Sequence, residues 1–377
     1  MARTSQSSLP KLLFADSESS ADMLYATGFF APDPFLFLQK NGKKTIILSD
    51  LEIDRGKKEA DVDAVISYSA LEKALHIKNG KPTPVEVYAY FLKKNGVRRV
   101  EVPSDFPFGL VVKLRNHGIS CLPLADSFWP GRELKTKAEV RNISKALRIT
   151  ETGMARGIEV LLAAKISKDR KLRWGSGVLT SELLRAEIDT AMLRLGGMPA
   201  NTIVAGGKQA CDPHERGSGP LRANELIILD LFPRDTRTGY YGDMTRTVVR
   251  GRATEAQRRI WNICLIGQEV AFSQIAPGVD GLPVHEHVKQ FFSDAGYPTI
   301  QKKGRWQGFF HGTGHGLGLQ IHESPRFSAT TFKPGQVITV EPGIYIPGIG
   351  GVRHEDVVVV TEKGHRILSK FSKPFEL

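Results

Sequence analysis

Three histidines stand within twelve positions in HGTGHGLGLQIHE, residues 311 to 323, with four glycines between them and Glu323 at the end. Imidazoles at this density suit metal ligation or proton transfer. His311 and His315 are four apart, the spacing of the zinc-protease helix HExxH. That signature needs a Glu directly after the first His and an unbroken helix, whereas Gly312 follows His311 here. Each glycine costs up to about 1 kcal/mol relative to alanine inside a helix, so four of them disfavour the helix. The order G-T-G-H-G-L-G also matches neither phosphate-binding glycine loop. What remains is a glycine-lined loop or strand, along which backbones approach closely and a His can point into a crowded site.

The acids that could share such a site sit where apolar runs start or stop. Asp230 ends LIILD, Asp243 opens DMTRTVV, Glu341 ends QVITVE, and Glu355 opens EDVVVV. Any one acid flanking a strand is ordinarily just solvated. Four carboxylates converging on one half-buried site cannot all stay ionised without compensation. Metal cations supply it, and a carboxylate-rich site with one imidazole suits Mn²⁺, Co²⁺, Fe²⁺ or Zn²⁺. Two such ions would balance four carboxylates, and two of the carboxylates could bridge them.

The elements that must position these groups fall into two regions. In the first, FLFLQKNGKKTIILSD carries a hairpin signal at Asn41-Gly42. ADVDAVISY and RRVEVPSD read as strands, and PVEVYAYFLKKNG as a helix stopped by Gly96. This α/β region runs to about residue 127, and SFWPGRELKT (127–136) has the composition of a linker. Thr136–Glu139 is a capping box opening a helix to about Ile149, with a second piece through EVLLAAK. SELLRAEIDTAMLRLGG reads as another helix, and a second capping box, Thr254–Gln257, opens one running towards Pro277-Gly278. ELIILDLF, DMTRTVVR, QVITVEP and EDVVVVT read as strands, the first two as a hairpin across the turn PRDTRTGYYG. The second region is therefore α+β, with long helices segregated from a largely antiparallel sheet.

Taken in order, Asp230, GYYGDMTRT, HGTGHGLG, TVEPGIYI and GVRHED resemble the aminopeptidase P, prolidase and methionine aminopeptidase group of dinuclear metallopeptidases. The resemblance runs over most of the chain and implies the pita-bread catalytic fold. MLYATGFFAPDPFLFL resembles the start of the creatinase-type N-terminal domain, which methionine aminopeptidases lack. The implied domains are residues 1–130 and 131–377. The implied metal ligands are Asp230, Asp243, His315, Glu341 and Glu355, with Asp243 and Glu355 bridging two ions. Mn²⁺ is the expected metal, with Co²⁺, Zn²⁺ or Fe²⁺ as alternatives. One departure stands out. The family pattern has Asp-x-Gly at the first ligand, whereas this chain has Asp230-Leu-Phe, with Asp243 thirteen positions on. We read a two-residue enlargement of the hairpin, with Phe232 where a small residue is usual and Asp235 as a weaker candidate ligand.

The resemblance implies hydrolysis of the bond between an N-terminal residue and proline, by an Xaa-Pro aminopeptidase or an Xaa-Pro dipeptidase. Glu341 would carry the proton to the leaving nitrogen. His311 and His322 would stabilise the oxyanion or hold the residue after the scissile bond, and His214 would line the pocket. His311 as a structural donor, and His214 as an exposed loop residue, remain the plainer readings. Arg353 would hold a carboxylate beside the metals or form a surface ion pair. Arg326 would catch a substrate's C-terminal carboxylate. His285 and His287 read as ordinary surface residues.

Two other functions compete: a metal-dependent hydrolase of a small amide on the same fold, and a metal-free binding module. The five intact ligands speak against the second. Net charge is +12, but the cations are spread along the chain without a nucleic-acid motif, so no nucleic-acid partner is expected. No apolar run approaches the roughly 20 residues of a membrane span, and the start lacks a secretory h-region. Cys121, Cys211 and Cys264 show no pairing pattern. The expected setting is cytoplasmic, with proline-containing peptides as substrates, no membrane partner, and a homodimer by resemblance.

Overall fold

The structure is a computed structural model that describes residues 9–75, 80–125 and 127–377. The first eight residues, read above for a secretory signal, lie outside the described residues. The chain forms two compact units, Met1–Pro130 and Gly131–Leu377.

In the first unit the Asn41-Gly42 hairpin joins strands Phe35–Lys40 and Lys43–Leu48, in register from Leu36–Ile47 to Lys40–Lys43. These strands belong to a six-stranded mixed sheet. Both faces are buried, so the strands read as continuous apolar runs. Leu36 and Leu38 pack with Val87, Phe91 and Leu92 of helix Pro84–Lys94. Phe35 and Phe37 point the other way, towards Met23, Phe29 and Phe128, as a period of two requires. The stretch from 127, read as a linker, therefore begins as core: Phe128 is buried.

The second unit opens with helix Lys137–Ala163, capped by Thr136 and Glu139. It is one continuous helix, where the sequence suggested two pieces. Ile143, Leu147, Met154, Ile158 and Leu161 are buried along it, and this unbroken apolar stripe carries the helix past Ile149. It packs with helix Ser181–Leu193 over the antiparallel strands Ile203–Gly206, Leu226–Leu231 and Met244–Val249. Helix Glu255–Phe272 begins at the Thr254 capping box and ends before Pro277. With helix Gly281–Asp294 it buries Trp261, Cys264, Val288 and Phe292 against a second sheet. That sheet orders Glu323–Arg326, His315–Gly316, Val337–Val340, Asp356–Thr361 and Gly364–Ile367, each antiparallel to its neighbour. No helix among the described residues is long and apolar enough to cross a membrane.

Candidate active site

Strand register brings the four acids together. Asp230 pairs across from Thr245 and Leu231 from Met244, so Asp230 and Asp243 lie at the same end of their hairpin. Val340 pairs with Asp356, so Glu341 and Glu355, one step beyond, lie at the same end of theirs. The Glu355 N–H donates to the Thr245 carbonyl at 3.1 Å, joining the two sheets where the acids meet. Asp230, Asp243 and Glu355 are buried.

The glycine loop brings in the imidazole. A Cβ on Gly314 would stand 1.9 Å from the Thr339 carbonyl oxygen, so this approach requires glycine. The approach lets Glu341 N–H reach the Thr313 carbonyl at 2.8 Å and His315 N–H reach Thr339 Oγ1 at 3.0 Å. His315 thereby enters the acid cluster from the neighbouring strand, and its ring is buried.

The donor set fits divalent cations. Asp243, His315 and Glu355 each offer one ligand atom, all within 4.8 Å of one another. His315 Nδ1 lies 3.1 Å from the Gly316 carbonyl, the backbone anchor that metal-bound imidazoles commonly use. Its Nε2 faces Glu341 Oε1 at 3.2 Å and Asp243 Oδ2 at 3.7 Å, where a hydrogen or a metal ion must stand between the lone pairs. Asp230 Oδ1 is buried without a hydrogen-bond partner, an expensive state for an isolated carboxylate oxygen. Burial, and then the like charges of Glu355, Asp230 and Glu341, push the Asp243 carboxyl well above its ordinary range. Burial, and then the like charges of Glu341 and Asp230, do so for Glu355. Burial also opposes charge on Glu341, yet the His315 hydrogen bond, with His311 and Arg353, brings it down to about 2. Carboxylates forced together in this way are what cations would relieve.

Around this cluster runs a hydrogen-bonded scaffold. Arg353 Nη2 donates to Asp230 Oδ2 at 2.6 Å and Nη1 to Tyr345 Oη at 2.8 Å. Its Nε donates to Thr245 Oγ1 at 3.2 Å, and that hydroxyl donates to Glu355 Oε2 at 2.7 Å. Tyr345 Oη also meets His311 Nε2 at 2.8 Å, while His311 Nδ1 faces the Gly312 carbonyl at 2.9 Å. A carbonyl only accepts, so Nδ1 carries the hydrogen; Tyr345 accepts from Arg353 and donates to Nε2. Burial lowers His311 to about 4, consistent with this neutral ring. Both nitrogens are thus engaged, and the geometry makes His311 a holder of Tyr345 rather than an open donor.

A cavity of about 940 Å³ opens onto the cluster. His214, His322, Arg326 and Arg353 line it with the acids, and Phe232, Phe310 and Ile321 supply apolar wall. His322 packs edge-on to His315 at 4.4 Å between ring centroids. Arg353 is not on the surface: the ion pair it forms with Asp230 is buried. One weaker candidate and one sequence expectation do not hold. Asp235 does not join the cluster. It is fully buried at the corner of the enlarged hairpin, where its carboxylate accepts from Arg237 N–H at 3.0 Å and Thr238 Oγ1 at 3.2 Å. His285 is not a surface residue: it lines the cavity, with Nδ1 2.9 Å from Thr313 Oγ1. Sequence reading missed Tyr345 and Thr245. Thr245 carried a signal, since it lies two residues from Asp243 and so shares its face of the strand.

The pattern of metallopeptidase family M24 matches residues 141–362. The Xaa-Pro dipeptidase of Pyrococcus furiosus is 34% identical over 245 residues, which is 63% of this chain and 64% of that relative's length. The Xaa-Pro dipeptidase of Pyrococcus horikoshii is 30% identical over 299 residues, covering 76% of this chain and 78% of the relative. Among solved structures, the prolidase from Pyrococcus horikoshii superposes with a TM-score of 0.77 at 26% identity, over 97% of this chain and 94% of that one.

Proposed function

This chain belongs to metallopeptidase family M24, and from that membership we propose that it hydrolyses the bond between an N-terminal residue and proline, as an Xaa-Pro dipeptidase or aminopeptidase. Its fold is the α+β pita-bread fold preceded by a creatinase-type α/β domain. The observation that carries the reading is the convergence of Asp243, His315 and Glu355 within 4.8 Å at the cavity, with Asp230 and Glu341 beside them.

Those five side chains would hold two divalent cations, Mn²⁺ being the proposed metal and Co²⁺, Zn²⁺ or Fe²⁺ the alternatives. When bound, such ions activate water and polarise a carbonyl. Glu341, whose carboxyl is brought down to about 2, takes a proton from the attacking water and passes it to the leaving nitrogen. A proline nitrogen has no N–H within the peptide bond and must be protonated to leave. Arg353 and Thr245 hold Asp230 and Glu355 in place. His322 and His214 line the cavity with no protein hydrogen bond at their rings among the described residues, and so are open to substrate. Arg326 receives the C-terminal carboxylate.

As finer readings, the resemblance supports a homodimer. Three free, buried cysteines support a reducing, cytoplasmic setting. A small-amide hydrolase is the second reading, supported by Phe232, which stands in the cavity wall where the family pattern has a small residue. The test is hydrolysis of Xaa-Pro, Xaa-Pro-Yaa and matched proline-free peptides by Mn²⁺-loaded protein. Cleavage confined to Xaa-Pro marks a dipeptidase, and cleavage of the tripeptide after its first residue an aminopeptidase. No cleavage of any peptide, with metal bound, sinks the peptidase reading in favour of the small amide.

A further inference from the structure

We infer that Arg216 forms an anion subsite in the substrate cavity, and that the enzyme favours short peptides carrying an acidic side chain; the inference rests on the peptidase reading above. Apart from the four clustered carboxylates, no acid lines the cavity among the described residues, while Arg216, Arg326 and Arg353 all do. Arg353 is committed to Asp230, Tyr345 and Thr245. Neither Arg216 nor Arg326 has a side-chain hydrogen bond or ion pair among the described residues, so both guanidinium groups are open to a ligand. Among charged side chains, a substrate lysine entering this cavity meets only arginines beyond the four carboxylates. A substrate carboxylate meets two open forks that match its geometry. One is taken by the C-terminal carboxylate at Arg326, so the second needs another anion, and in a dipeptide that is an Asp or Glu side chain.

The backbone of Arg216 is fixed rather than loosely tethered. Its carbonyl accepts the Val204 N–H at 3.0 Å and a hydrogen bond from the Arg185 guanidinium. Arg185 also donates to the Gly217 carbonyl at 2.8 Å and the Thr202 carbonyl at 2.9 Å. Gly217 has a φ of +79°, and a Cβ there would stand 1.8 Å from the Val204 oxygen. Arg185 therefore clamps the loop bearing His214 and Arg216 against the strand Ile203–Gly206, and Ile203 and His214 line the same cavity. A guanidinium on a pinned backbone loses less freedom on binding than one on a mobile loop.

The experiment compares Glu-Pro, Gln-Pro and Lys-Pro as substrates of the Mn²⁺-loaded protein at low and high salt. The expected kcat/KM for Glu-Pro is about fivefold above Gln-Pro, carried by KM and shrinking as salt screens the pair. Arg216→Lys keeps part of that preference, Arg216→Ala brings the ratio to about one, and Arg216→Glu places Lys-Pro above Glu-Pro. A ratio near one in the parent protein, or a preference that survives Arg216→Ala, overturns the inference while Gln-Pro cleavage leaves the peptidase reading standing. Cleavage of none of the three removes the dipeptidase reading and the inference with it.

Discussion

Arg353 and Asp230 meet at 2.6 Å inside the cavity, both side chains nearly shut off from solvent. The pair splits the Asp230 carboxylate by role. Oδ2 is held by the guanidinium, whereas Oδ1 is buried and without a partner. Burial raises the Asp230 carboxyl and Arg353 opposes that rise, so the arginine favours the charged form that a cation would need. Removing one partner of a buried pair typically costs roughly 3–5 kcal/mol. Arg353→Ala is therefore expected to lower the urea midpoint of the metal-free protein and to weaken metal binding by about 10- to 100-fold. Arg353→Lys keeps the charge but not the fork, and should fall between. A midpoint and a metal affinity equal to the parent's in Arg353→Ala would refute this role.

The two acids of the hairpin should separate cleanly in metal content. Asp230→Asn weakens a donor in the cluster, so bound metal per chain measured by mass spectrometry of dialysed protein should fall. Asp235 instead accepts from Arg237 N–H and Thr238 within its own turn. Asp235→Asn keeps one acceptor and should cost about 1 kcal/mol with metal content unchanged. The reverse pattern would make Asp235 the ligand.

The sheets and capped helices of the second unit were legible because period and caps are local: Thr136–Glu139 and Thr254–Gln257 both form their boxes. The gathering of Asp230, Asp243, His315, Glu341 and Glu355 in one cavity was legible only by joining strand ends with a family resemblance. Asp235 stayed a weaker candidate because a turn acid that satisfies its own loop looks, in sequence, like any acid near a ligand. His285 was missed because a helix face shows its outlook only once a partner, here Thr313, is placed against it. Tyr345 was invisible for a related reason: its hydroxyl matters through residues at 34 and 8 positions' separation, which no local pattern encodes.

Gly314 should tolerate no side chain. Its Cβ position lies 1.9 Å from the Thr339 carbonyl oxygen, and Thr339 Oγ1 in turn holds the His315 N–H and reaches Glu341 Oε1 at 3.1 Å. Relief of the clash must move a strand that carries a proposed metal donor. Gly314→Ala is expected to destabilise by roughly 1–3 kcal/mol and to lower metal affinity. Gly312 is the control, since its Cβ position comes no nearer than 3.9 Å to other atoms. Gly312→Ala should change stability by under about 0.5 kcal/mol. Equal melting curves for the two variants would contradict the packing argument.

Tyr345 is the remaining joint. Its ring is fully buried, and its hydroxyl is shared at 2.8 Å by Arg353 Nη1 and His311 Nε2. Phenylalanine fills the same space but leaves a buried guanidinium N–H without its acceptor and an imidazole nitrogen without its donor. Each orphan costs about 1–3 kcal/mol, and the ring volume is kept, so the loss cannot come from a cavity. Tyr345→Phe should therefore lower stability while metal content stays at the parent's value, because no donor of the cluster is removed. If the hydroxyl acts by tethering His311, then His311→Asn combined with Tyr345→Phe should cost less than the two singles summed, with a coupling of at least about 0.5 kcal/mol. Additive losses would mean that Tyr345 serves Arg353 alone and that His311 is free to turn towards substrate.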